Sequence, residues 1–143
     1  MKNSKGFSLL ELLIVVAIIL IIATIAIPSL LRSRQAANEA AAVANLRTIN
    51  TAEVTYLSSA GGSYGDLPEM IGARLLDDTF MGTKAGYIYN VNLDPTRQDY
   101  TATAVPASPN TGRYGYYSVP DAVVRYSTTA SLAPAGQAGR SVQ

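Results

Sequence analysis

Apolar residues crowd one end of this chain. Across residues 7–27 only Ser8, Glu11 and Thr24 interrupt an otherwise hydrophobic run. At about 1.5 Å per residue, a helix of that length spans roughly 32 Å, enough to cross the hydrocarbon core of a bilayer. Beyond Pro28 the helical period continues, but the apolar positions narrow to a stripe. Ala42, Leu46, Ile49, Ala52 or Glu53, and Tyr56 recur every three or four residues, which predicts an amphipathic helix over residues 29–60. Arg32, Arg34, Gln35, Asn38, Glu39, Asn45, Arg47 and Asn50 fall on its other sides. The alanine-rich run 36–44 favours helix, and Gly61-Gly62 predicts its end. Within the connecting region that follows, Asp66-Leu67-Pro68-Glu69 has the spacing of a capping box and predicts a short helix reaching about residue 76.

After Gly86 the period changes from about 3.6 to 2. Tyr87, Tyr89, Val91 and Leu93 alternate with Ile88, Asn90 and Asn92, predicting a first strand. Further strands are predicted over 99–105, 113–119 and 122–127, separated by turns at 94–98, 109–112 and 120–121. Short turns imply an antiparallel meander with one face against the amphipathic helix. The expected fold is therefore α+β, a long N-terminal helix on a four-stranded antiparallel sheet. Residues 61–127 form its head region, and residues 128–143, rich in Ala, Ser and Gly, are expected to be a flexible tail.

Composition narrows what such a chain does. Its 143 residues leave room for the apolar segment and one small domain. It has no cysteine, so packing rather than disulfides must hold any exported domain together, and no histidine, the commonest general base. No glycine-rich phosphate loop is present, because Gly61-Gly62-Ser63 is followed by neither a lysine nor a helix start at the required spacing. Enzymatic activity is not expected, nor a cofactor or metal. The adjacent acids Asp77 and Asp78 lack the spacing of a calcium loop and read as a turn. A net charge of +1 argues against a nucleic-acid surface. Nine tyrosines against two phenylalanines suggest amphipathic aromatics on a sheet or an interface.

Two features of the N-terminus are unlike a plain anchor. Lys2 and Lys5 precede the span and hold that end cytoplasmic, yet the apolar run is longer than the core of an ordinary signal peptide. Nor is it followed by a small-residue cleavage site. The second feature is Glu11, the one charge inside the apolar run. A carboxylate facing lipid costs on the order of 2.5–3.5 kcal/mol or more, so Glu11 requires a cation or a proton.

The run Lys5-Gly6-Phe7-Ser8-Leu9-Leu10-Glu11-Leu12-Leu13-Ile14-Val15-Val16-Ala17-Ile18, continued by Ile25-Ala26-Ile27-Pro28, resembles the N-terminus of type IV prepilins and pseudopilins, the bearers of class III signal peptides. The resemblance covers residues 5–50 closely and the remainder loosely. It implies that a prepilin peptidase cuts between Gly6 and Phe7, releasing residues 1–6 as a leader, and that Phe7 becomes an N-methylated terminus. It implies too that Glu11 meets the Phe7 amine of a neighbouring subunit during assembly. A protonated Glu11 with a local hydrogen bond is the alternative. Pro28, at the far membrane face, is expected to kink or break the helix, closing the membrane and polymerisation segment 7–28. The two C-terminal cysteines of many relatives are missing. The implied partners are copies of the chain itself, the inner membrane before assembly, the peptidase and the assembly machinery. The implied function is a subunit of an extracellular type IV pilus serving adhesion, twitching motility or DNA uptake. A pseudopilin of type II secretion, working in the periplasm, and a monomeric membrane-tethered binding domain are the alternatives.

Overall fold

The computed structural model describes residues 6–127 and 139–142. The chain divides into two compact units, Met1–Ser33 and Arg34–Gln143. One helix, α1 (Leu9–Ser59), contributes to both. It is followed by α2 (Leu67–Gly72), a single 3-10 turn (Asp78–Met81), and strands β1 (Thr83–Lys84), β2 (Tyr87–Leu93), β3 (Tyr100–Pro106), β4 (Gly115–Ser118), β5 (Arg125–Ser127) and β6 (Arg140–Ser141).

In the first unit α1 buries nothing. From Leu9 to Leu30 its large apolar side chains stand open, Leu9 at 81% and Ile25 at 73% exposure. The helical assignment continues through Pro28, so the single chain shows no interruption there. Pro28 still lacks an N–H to give the carbonyl one turn earlier.

In the second unit α1 packs one face on the sheet. Ala42, Leu46, Ile49 and Ala52 are buried there, as the periodicity predicts, Val43 is buried in addition, and Tyr56 of the stripe is half-buried. Glu39, Asn50 and Glu53 are buried with them, and for Glu39 and Asn50 this departs from the solvent-facing reading of the sequence. The reason is partner supply. Asn50 Nδ2 donates to Ser118 Oγ at 2.8 Å and its Oδ1 accepts from the Tyr100 hydroxyl at 3.0 Å. Asn50 thereby joins α1 to β3 and β4 at no cost in unmet hydrogen bonds.

The sheet has six strands in the order β1-β2-β3-β4-β5-β6, every pair antiparallel. The four expected strands are β2 to β5, and β1 and β6 are additions to the expectation. Each of these edge strands has only two residues, too few to display a period. β1 exists because Ala85 (φ 52°) and Gly86 (φ 75°) form a two-residue hairpin turn with both φ positive, which sets Thr83 opposite Ile88. β6 pairs Arg140 with Tyr126, and Val142 N–H donates to the Val124 carbonyl at 2.8 Å. The expected tail of residues 128–143 therefore includes a paired segment, while 128–138 and 143 lie outside the described residues. β5 starts later than expected because Ala122 takes a left-handed conformation (φ 58°) inside the preceding turn.

Inner-face residues alternate large against small across the register, Tyr89 opposite Ala104 and Val91 opposite Ala102. α1, α2 and the central strands β2, β3 and β4 enclose a core rich in tyrosine. Tyr87, Tyr89, Tyr100, Tyr116 and Tyr117 are buried and the other four tyrosines are half-buried. Most of them lie on the sheet, one of the two places expected, and there they form core. α2 has the expected cap, with Asp66 accepting from Glu69 N–H and the Glu69 side chain accepting from Asp66 N–H, both at 2.9 Å. It ends at Gly72, earlier than predicted, because Arg74 turns left-handed (φ 59°).

Candidate functional site

The candidate site is the start of α1. Residues 6–8 are not helical and Leu9 is the first helical residue. Ser8 ends the extended segment. Its Oγ accepts from Leu10 N–H at 3.3 Å, while the Glu11 carboxylate reaches back to accept from Ser8 N–H at 3.0 Å. Together these make a reciprocal capping box over the first turn, where backbone N–H groups have no partner within the helix. Glu11 is thus held by its own chain through a neutral donor. A local hydrogen bond is what the alternative reading of Glu11 expects; its donor is the Ser8 backbone N–H. Ser8 was missed as its counterpart, although the Ser-x-x-Glu spacing was there to read.

The bond between Gly6 and Phe7 sits in this non-helical stretch. Both residues are exposed, Phe7 to 87%. A β-carbon added at Gly6 would meet nothing within 4 Å, and its φ is not left-handed. The chain's own packing therefore makes no demand for glycine at this position. Any such demand comes from something that approaches the backbone from outside.

Downstream, the helix has the length and hydropathy to cross a membrane, with 0% of its apolar window buried. Thr24 places its hydroxyl on the Ile21 carbonyl at 2.7 Å and Ser33 on the Ser29 carbonyl at 3.1 Å. The Thr24 and Ser33 hydroxyls are thus satisfied within the helix. Gly6 and Phe7 precede α1, Glu11 and Pro28 lie along it, and the four do not converge in a pocket. No group of three or more metal-binding side chains occurs among the described residues. Asp77 instead caps the 3-10 turn and pairs with Lys84 at 2.8 Å. Asp94 caps its own loop through the N–H groups of Thr96, Gln98 and Asp99.

An exposed, non-helical peptide therefore precedes the apolar helix. A family model described as "Prokaryotic N-terminal methylation motif" matches residues 1–27. Two curated relatives carry the comparison further. The chain is 54% identical over 46 residues to the "Type IV wide pilus major component PilA4" of Thermus thermophilus, covering 32% of this chain and 35% of that one. It is 39% identical over 70 residues to the "Type IV major pilin protein PilA" of Myxococcus xanthus, covering 49% of this chain and 31% of the relative. The chain thus spans about a third of the length of these curated relatives. No solved structure matches it significantly. The N-terminal region is that of a type IV pilin with a class III signal peptide.

Proposed function

We propose that this chain is a prepilin that becomes a structural subunit of a type IV pilus. The observation that carries the reading is the wholly exposed apolar helix of residues 9–30 behind a methylation motif. A surface of that kind is stable only in lipid or against other copies of itself. In the precursor the helix is stored in the inner membrane. A prepilin peptidase adds water across the peptide bond joining Gly6 to Phe7, leaving a Gly6 carboxylate on the leader and a free amine on Phe7. That amine is then N-methylated. Gly6 is bare where the chain itself has no need of it, which suits a backbone that must lie against a protease.

During assembly Glu11 exchanges its Ser8 N–H for the Phe7 amine of a neighbouring subunit. Pairing relieves a carboxylate and an amine that are each costly to bury alone, and it sets the axial register between subunits. Loosening of the helix ahead of Pro28 belongs to the filament on this reading, since the lone chain is helical there. Adhesion, twitching motility and DNA uptake are functions that such a filament serves.

The test is electron microscopy of cells lacking this chain, complemented with wild type or Glu11→Gln. Loss of surface fibres on deletion is expected. So is failure of the Gln variant to restore fibres at the wild-type rate, despite leader cleavage. Intact fibres with lost secretion would instead favour a pseudopilin. Membranes whose crosslinking yields no ladder of multimers would favour a solitary anchor.

A further inference from the structure

The carboxyl of Glu53 plays no part in the site at the start of α1, and its surroundings are unusual. It lies on the buried face of α1 and is fully enclosed. Oε2 accepts from Gly65 N–H at 3.1 Å, and Oε1 has no partner. Gly65 belongs to the return loop that brings the chain back over the end of the helix. Its backbone lies so close to the Tyr56 ring that a β-carbon would come within 2.8 Å of it. The loop departs from α1 through Gly61 and Gly62, at φ 73° and 90°, left-handed backbone that glycine adopts without strain, with the Gly62 N–H donating to the Leu57 carbonyl at 3.0 Å and its carbonyl accepting from Gln98 Nε2 at 2.9 Å.

Among the described residues no cation acts on Glu53. The charged groups nearest to it are Asp66 and Glu69, both negative and both on the start of α2. Arg97 is occupied by Glu69, at 2.8 Å. Tyr100, on β3, feels the Glu53 charge as well, but its hydroxyl donates to Asn50. Tyr64, in the return loop, stacks edge-on against Tyr100 at 4.8 Å. Tyr56, on α1, closes the side toward Gly65. Each element packed on Glu53 therefore offers it an acid, a phenol or a single backbone N–H.

We propose that Glu53 is a protonation-controlled latch: as the neutral acid it keeps the Gly61–Asp66 return loop seated on α1, and as the carboxylate it draws water beneath the loop, which swings out on Gly61-Gly62. The unpartnered oxygen is what makes the two states differ. A neutral carboxyl leaves one weakly polar group unmet, whereas an ionised one leaves a buried charge with a single hydrogen bond. Burial above all raises the group to about 7, assisted by the charges of Glu69 and Asp66 and opposed by the Gly65 hydrogen bond. The latch therefore works near neutral pH and is closed on the acid side. It rests on the folded head alone and is independent of the pilus reading.

The full chain in detergent micelles, with the Glu53 side-chain carbon labelled, tests this by NMR between pH 5 and 9. Glu53 is expected to titrate around neutrality. Over the same interval Gly65 amide exchange, corrected for its intrinsic pH dependence, is expected to accelerate at least tenfold. Glu53→Gln should abolish that acceleration. Asp66→Asn, which keeps the helix cap, should move the midpoint to lower pH and guards against a Gln variant that fails to fold. A Glu53 that titrates like an exposed carboxylate would overturn the proposal. So would Gly65 protection unchanged across its titration.

Discussion

A β-carbon added at Gly112 would fall on the Tyr87 hydroxyl, with the ring Cζ only 2.6 Å away. Tyr87 cannot retreat cheaply, because it is fully buried and its hydroxyl donates to the Tyr114 carbonyl at 2.9 Å. Gly112→Ala is therefore expected to destabilise the protein by about 1–3 kcal/mol, the range for overfilling a packed core. Tyr87→Phe, which removes one hydrogen bond, should cost about 1 kcal/mol. The double variant should cost less than the sum, since the ring without its hydroxyl loses both the closest clash and its tie to the Tyr114 carbonyl and is freer to shift from the methyl. Denaturant melts of the four proteins check this, and strict additivity would rule out the steric account. The requirement for glycine here was not visible in Pro109-Asn110-Thr111-Gly112, which reads only as a turn. The opposite holds at Gly6, where the local sequence marks the glycine and the structure makes no use of it.

At the scale of elements, α1 and the β3–β4 loop are joined by an ion pair built with three hydrogen bonds, flanked by Asn38 Nδ2 donating to the Thr111 carbonyl at 2.8 Å and Gln35 Nε2 to the Pro109 carbonyl at 3.1 Å. Glu39 Oε1 accepts from Arg113 N–H and Nε at 2.8 and 3.0 Å, and Oε2 accepts from Nη2 at 2.8 Å. Burial by itself would raise the Glu39 carboxyl, but Arg113 more than offsets this and holds it below the ordinary carboxylate value. The sign of the linkage follows. With a depressed folded value, the pair's stabilisation is complete above the ordinary carboxylate range and is lost as pH falls through the folded value. Arg113→Ala leaves a buried, unpaired carboxylate and is expected to cost about 2 kcal/mol at pH 7. The half-exposed guanidinium keeps this below the figure for a fully buried pair. Glu39→Gln keeps the acceptor for Arg113 N–H and should cost about 1 kcal/mol. Thermal melts at pH 7 and pH 3.5 separate the cases: the gap between wild type and Arg113→Ala should shrink at the lower pH. A gap independent of pH would point to lost packing rather than lost charge. Glu53 runs the opposite way. Its raised folded value makes its contribution greatest below the ordinary carboxylate range and erodes it up to about pH 7.

For the whole molecule, every buried residue among those described lies at or beyond Glu39, and the large apolar residues of the first unit are exposed. The head therefore carries its own core. Deleting residues 1–33 is expected to give a folded, monomeric head whose circular dichroism shows helix and sheet and whose unfolding remains cooperative. The full chain should require detergent. Analytical ultracentrifugation would decide, and a truncated head that aggregates or melts without cooperativity would contradict this division of the chain.

The sequence by itself determined the apolar span, the stripe of the amphipathic half, the four longer strands and the Gly6-Phe7 and Glu11 motif. Each of these is a local pattern, repeated or spaced along contiguous residues, so its signal needs no knowledge of what packs on it. The tertiary structure decided the two short edge strands, which rest on a turn geometry and on a pairing partner rather than on any period. It also decided which polar residues of α1 turn inward. Glu39 finds Arg113, 74 positions away, Asn50 finds Ser118 and Tyr100, and Glu53 finds only one backbone N–H. Such pairings depend on contacts far apart in sequence, and a polar residue beside an apolar stripe carries no mark of whether its partner will arrive.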